Sequence, residues 1–531
     1  MMNEKIIFII DDFFYDWQKS IIDEFIIKKN EVLLYFSNNS EKIENIKYFN
    51  FKKIESIQLY GKYDFLPKEF VLNEVLIEEL GINHIINLSQ NPLGVSVSNQ
   101  LNFFFLNFLC DQDFYALNNI PLKNFREIEI HIYYKAIDQR IVRLKKSVFS
   151  AIRYSSRKNS LFLKFILSDI LFSVLSVEDL DQEEIHSEKP KKNKDSFLNF
   201  CKFHVSIFIQ KINFVFKSIK NGFTYQKWNI GQIKYSELNQ TYTQPVFRQW
   251  LFDLPSYSSF ADPFLILIKS KLFIIFENFN FKTMLGKISI IEYSSDKKAY
   301  VSNEVIDIIS DNSHFSYPHP LVLKNEIYFL TENSVHKNLF RYKIFPRTHS
   351  QDKIQFSITE KVKILGDSNF VDPTPFFHDN LFWLFVGKHD PFTAGSAKLY
   401  LYFSNKQDGP YTEHVMSPVV TSMKCARSAG NIFNYNGKLI RPSQNCLYAY
   451  GDELNLMEIK ELTTTLYKEQ FYKTIVADSM YPDGCHHITV CGDIVLVDGL
   501  KNKFLFSMLF VKIPFKVKQL FFKLIKYFKK N

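Results

Sequence analysis

One short pattern recurs five times in the second half of the chain, at Asp262, His319, Asp372, Asn431 and His487, at a near-constant interval of roughly 55 residues. The copies read FADPFLILIKSKLFIIFE, SYPHPLVLKNEIYFLTE, FVDPTPFFHDNLFWLFVG, SAGNIFNYNGKLIRPSQ and GCHHITVCGDIVLVDG. Each opens on small, polar or charged residues, then gives an apolar strand, a turn with Asn, Asp, Gly or Lys, and a second apolar strand. A β unit of this size cannot bury both faces of its own sheet, so copies pack radially around an axis. Five copies predict an all-β, five-bladed β-propeller over residues 228–500.

The rest of the chain reads differently. Residues 1–165 alternate apolar strand-like runs (KIIFII, EVLLYF, HIINLS) with a helix-like segment around Trp17 to Lys29. That alternation predicts an α/β domain with an open, mostly parallel sheet. Residues 166–227 form a charged and helical connection: DQEEIHSEKPKKNKDS is a solvated stretch, and FLNFCKFHVSIFIQKINFVFKSIKNGF has apolar residues at helical spacing. Residues 501–531 end in FKVKQLFFKLIKYFKK, a basic amphipathic helix with Phe515, Leu520, Phe522 and Leu524 among Lys516, Lys518, Lys523 and Lys526. A broad apolar face with a basic rim suits a helix lying on an anionic membrane surface.

Charge narrows the partners. Nine lysines and no acid fall in residues 501–531, which equals the formal net charge of +9 of the whole chain. The body is therefore near neutral and carries no nucleic-acid-binding motif, so no nucleic-acid partner is expected. Six cysteines without a Cys-x-x-Cys pair, and an apolar N-terminal run too short for a signal peptide, predict a cytoplasmic protein, peripheral on the cytoplasmic face of the inner membrane. His486 and His487 have no third ligand at metal-site spacing, so no metal is expected.

Innermost propeller strands aim their first residues at the central funnel. Asp262, His319, Asp372 and His487 take those repeat positions, and Glu277 and Glu332 end second strands within reach. Converging carboxyl groups suit glycosyl chemistry, which needs one group to move a proton and another to act as base, nucleophile or charge stabiliser. Arg427 and Arg441 supply fixed cations able to grip carboxylate or phosphate.

The segments ADPFLI with IIFE, HFSYP with LTEN, FVDPTPF, ARSAGN, LIRPSQNC with AYG, and GCHHIT with LVDG resemble, as an ordered set over about 230–500, the N-terminal propeller of the glucosamine inositolphosphorylceramide transferase family, in a bacterial member. The resemblance extends to five-bladed glycosidases and fructosyltransferases, and it implies one acidic residue from each of the first three blades. Asp262 and Asp372 match in the first and third; the second has His319 at its strand start and Glu332 further on. By this resemblance Asp262, Glu332 and Asp372 are the catalytic candidates. Glu277, Tyr317, His319, Arg427, Asn431, Arg441, Gln444, Tyr450, His487 and Asp498 are the substrate-binding ones. INLSQNPLGV and AIRYSSRKNSLFLK resemble, more weakly, a formyltransferase-like domain. Asn87 matches its asparagine but no histidine follows, which implies a degenerate, non-catalytic scaffold.

The expected function is glycosyl transfer in bacterial surface polysaccharide or glycolipid biosynthesis, from an activated sugar donor such as a sugar nucleotide, with no other cofactor. Glycoside hydrolysis and non-catalytic glycan binding are the alternatives.

Overall fold

A computed structural model gives two compact units, Met1–Asn213 and Phe214–Asn531. It describes residues 219–512 apart from short stretches, together with the strands and some helical residues of the N-terminal part. The 515–531 tail, the Gln90–Gly94 turn and most of the 166–227 connection lie outside the described residues. No helix among the described residues is long and apolar enough to cross a membrane.

The N-terminal unit carries an eight-stranded sheet. Lys5–Ile10 sits centrally, parallel to Glu31–Phe36 on one side and to His84–Asn87 on the other. His84–Asn87 is parallel in turn to Asn102–Leu109. Beyond that strand the sheet turns antiparallel through Glu127–Lys135, Ile141–Ser150 and Glu183–Glu184. The sheet is thus mixed: a parallel core with an antiparallel flank.

The second unit contains five separate antiparallel sheets in chain order. The first four begin on Ser258–Ile268, Phe315–Leu323, Phe370–His378 and Arg427–Ser428. The fifth is composite. Ile488–Cys491 and Ile494–Phe504 are its inner strands, and Thr224–Lys234 and Gln249–Trp250, from the other end of the unit, complete it. Trp228 pairs with Leu500 in that seam. The ring is therefore closed by hydrogen bonds between strands more than two hundred residues apart in sequence. These are the five blades of a β-propeller.

Apolar contacts between adjacent blades hold the ring. Phe264, Ile266 and Ile275 of the first blade share a core with Tyr317, Phe329 and Tyr342 of the second. Ile230 and Leu496 of the fifth pack on Ile274 and Phe276 of the first. This explains most of the apolar run FLILI, whose Phe264, Leu265, Ile266 and Ile268 are buried while Leu267 is exposed.

Gly430 marks a close approach between the fourth and fifth blades. It bridges to Ile488 in parallel fashion at φ 131°, and a Cβ there would fall 1.7 Å from the Ile488 carbonyl oxygen. Only glycine fits such a backbone contact. Gly430→Ala is expected to destabilise the propeller by roughly 2–4 kcal/mol through strain and a lost bridge, read as a lower urea midpoint.

Candidate active site

The first three blades each begin with a two-residue bulge that ends on a proline. The register jumps between Ala261 and Phe264, Ser316 and His319, and Val371 and Thr374. Inside each bulge one residue takes positive φ: Asp262 at 50°, Tyr317 at 51° and Asp372 at 46°. The same strained turn thus throws three side chains inward, a recurrence typical of a functional position.

This register corrects one sequence expectation. His319 does not occupy the acidic repeat position; Tyr317 does, and His319 aligns with Phe264 and Thr374 beyond the bulge. Asp262, Tyr317 and Asp372 each precede a proline, but so does His319, so the sequence alone does not choose between Tyr317 and His319. The Tyr317 hydroxyl accepts the Gly430 N–H at 2.8 Å and shares a 2.8 Å hydrogen bond with Thr374 Oγ1. It ties three blades together at the axis. Tyr317→Phe leaves the Gly430 N–H without that partner, an expected loss of about 1–3 kcal/mol in chemical unfolding. His319 packs against Phe264 with ring centroids 4.7 Å apart, and burial drops its pKa to about 3, so the ring is neutral.

Asp262 lies at the centre of one charged cluster. Its Oδ2 accepts the Tyr317 N–H at 3.2 Å, and its Oδ1 is 3.5 Å from both His486 Nε2 and His487 Nδ1. Behind it, Asp498 Oδ1 accepts the backbone N–H groups of His486 and His487 at 2.9 and 3.0 Å. Asp498 Oδ2 approaches His486 Nδ1 to 2.6 Å, a close ionic contact rather than an aligned hydrogen bond. Trp228 covers the other face of the His486 ring at 4.0 Å. The result is a carboxylate–imidazole–carboxylate chain. Burial alone would raise the Asp262 carboxyl, but the two histidines and Arg427 outweigh it and hold it below its usual range. Burial would lower His486, and Asp498 reverses that, so the imidazole is raised.

A second cluster centres on Arg427. Its Nε donates to Asp372 Oδ2 at 2.7 Å, and Gln444 donates to the same oxygen at 3.1 Å. Glu332 Oε2 stands 3.9 Å from the guanidinium and has no hydrogen-bond partner among the described residues. The guanidinium also lies 4.9 Å over the Tyr450 ring, itself partly exposed. Burial, then the neighbouring Asp372, push the Glu332 carboxyl up to about 8. Burial likewise lifts Glu277 well above its usual range, with Asp262 and Glu332 adding to the effect; His314 stands 3.7 Å from it. The physics is a charge count. Asp262, Glu277, Glu332 and Asp372 face Arg427 and His486 in low dielectric, so not all four carboxyls can ionise.

The fold therefore brings Asp262, Glu277, Tyr317, Glu332, Asp372, Arg427, Gln444, Tyr450, His487 and Asp498 to one region. Two others are engaged elsewhere. Arg441 makes a two-point pair with Glu469 at 2.8 and 2.7 Å and donates to the Cys425 carbonyl, all within the fourth blade. Asn431 bonds Val490 and Thr489 across the seam between the fourth and fifth blades. Sequence reasoning overlooked His486, whose only signal was the pair His486-His487. Asp262, His486 and Asp498 offer ligand atoms within 4.8 Å of one another, a grouping invisible to sequence spacing because it spans two ends of the propeller. Both Asp498 oxygens are already turned to protein partners, so the trio fits an ion pair better than a cation's donor set.

A ring of five blades with buried carboxyl groups drawn together at its axis defines the class. Within this propeller, residues 244–481 match the family model described as "Glucosamine inositolphosphorylceramide transferase 1, N-terminal". Glucosamine inositolphosphorylceramide transferase 1 of Oryza sativa subsp. japonica is 34% identical over 217 residues, 39% of this chain and 27% of that protein. The Arabidopsis thaliana protein of the same name is 30% identical over 222 residues, 41% of this chain and 27% of its own. The chain thus matches only about a quarter of these relatives' length. Among solved structures, an exo-beta-1,3-galactanase from Clostridium thermocellum superposes with TM-score 0.34 at 9% identity, covering 45% of this chain and 56% of that one. The native Bacillus subtilis arabinanase gives TM-score 0.30 at 12% identity, over 45% and 91%.

Proposed function

We propose that the propeller is a glycosyltransferase that moves a sugar from an activated donor, such as a sugar nucleotide, to a glycolipid or surface-polysaccharide acceptor in a bacterial cell. The observation carrying this reading is the unequal pair in one site: Asp262 held low, and Glu332 raised to about 8 with one oxygen that no described residue hydrogen-bonds. Asp262 would take the proton of the acceptor hydroxyl as its oxygen attacks the anomeric carbon. Glu332 would give its proton to the departing oxygen. Arg427, already balanced by Asp372, would steady negative charge on the leaving group, and Tyr450 would stack on a sugar face. The N-terminal unit is a non-catalytic, formyltransferase-like scaffold in this reading, and the basic 515–531 segment holds the enzyme at the cytoplasmic face of the inner membrane.

The test is incubation of purified protein with membrane-extracted acceptor and a panel of radiolabelled sugar nucleotides. Label should enter the lipid or polysaccharide fraction with wild type and not with Glu332→Gln. Release of free sugar at the same rate without acceptor would instead mean hydrolysis, which needs the same ionised and protonated pair. Saturable glycan binding with no turnover of any donor would mean a binding propeller.

A further inference from the structure

The geometry points to a folded membrane-docking face on the end of the propeller toward which strand Ile494–Phe504 runs from the acidic site, distinct from the 515–531 segment. Strand Ile494–Phe504 carries Asp498 in the pocket and runs on to Phe504, about 20 Å further in the same direction. There Phe223 stacks between Phe504 and Phe506, with centroids 5.8 and 5.5 Å away, and Phe506 meets Phe510 at 6.1 Å. Phe504, Phe506 and Phe510 are 68%, 61% and 68% exposed. Phe216 and Ile219 lie seven and four residues before Phe223 on the helix that ends there, and are exposed too, extending the patch along one helical face.

Such large aromatic exposure would be unremarkable in a frayed end, but this patch is anchored. Met508 is fully buried with Tyr225 and Phe281, Tyr257 and Ser507 share a 2.6 Å hydrogen bond, and Leu505 N–H bonds the Phe223 carbonyl at 2.8 Å. A rigid scaffold thus holds apolar rings out into solvent, which marks an interaction surface. The charge selects the occupant. Segments 214–223 and 501–512 contain five lysines and no acid, which complements anionic lipid headgroups. That end of the propeller would then face the bilayer, suiting a lipid-linked acceptor; only this purpose rests on the transferase reading, since docking itself does not.

The test is vesicle co-sedimentation of the full chain with phosphatidylcholine alone and with added phosphatidylserine. Wild type should bind the anionic vesicles, and Phe504→Ser/Phe506→Ser/Phe510→Ser should lower the partition coefficient by about tenfold or more while melting within a few degrees of wild type. The single change Phe510→Trp keeps an aromatic ring, and its indole emission should shift to the blue on anionic vesicles, including after removal of 515–531. Binding by the triple variant equal to wild type, or no blue shift, overturns the proposal. So does a wild-type dimer that ignores vesicles and is dispersed by the triple variant, since the face would then bind a second copy. Asp262→Asn should bind vesicles as wild type does, so failure of transfer leaves docking separately measurable.

Discussion

Asp262→Asn is expected to lower the rate of sugar transfer by about 10²–10⁴-fold, with little change in folding. The amide keeps the size of the carboxyl and can still accept the Tyr317 N–H at 3.2 Å. What it loses is the basic oxygen beside His486 and His487. The same logic fixes the pH dependence. The base limb belongs to Asp262, whose carboxyl is held low, so activity falls only when strong acid protonates it. The acid limb belongs to Glu332, which is protonated below about 8 and spent as a donor above it. Transfer should therefore be flat through neutrality and decline as pH passes about 8, and a steady-state pH–rate profile reads both limbs.

Arg441→Met should be the most destabilising single change in the fourth blade. It strips Glu469, only 7% exposed, of a two-point partner and leaves its charge buried beside the Tyr467 hydroxyl. Breaking one side of a buried pair costs about 3–5 kcal/mol, which for a domain of this size is a fall on the order of 10 °C in melting temperature. The double change Arg441→Met/Glu469→Leu should recover most of that loss, because no unpaired charge remains. Calorimetry of the three proteins separates the cases.

The architecture was legible because blades repeat, and a repeat imposes a period that survives divergence of the individual residues. Strand ends carrying Asp262, Asp372, Glu277 and Glu332 could be placed for the same reason. Inside a copy the reading failed where the backbone departs from simple alternation. The two-residue bulge at Tyr317-Pro318 shifts register, so His319 looked like the aspartate's counterpart although it is packed beyond the bulge against Phe264. Arg441 looked like a ligand clamp because its partner Glu469 lies two strands away across the blade, a pairing no spacing rule reveals. His486 was passed over for His487, since sequence cannot say which of two adjacent rings fits between Asp262 and Asp498. Unequal protonation was likewise beyond sequence, being set by burial and by the number of carboxyls that share two cations.

Glu332 should stay protonated at neutral pH while Asp262 beside it is charged. Carbon-13 NMR of side-chain carboxyls, compared between wild type and Glu332→Gln, tests it directly. We expect a resonance that titrates near pH 8 in the wild type and disappears in the variant. A Glu332 signal that has finished titrating in the ordinary carboxylate range, with every other carboxyl, would contradict the account.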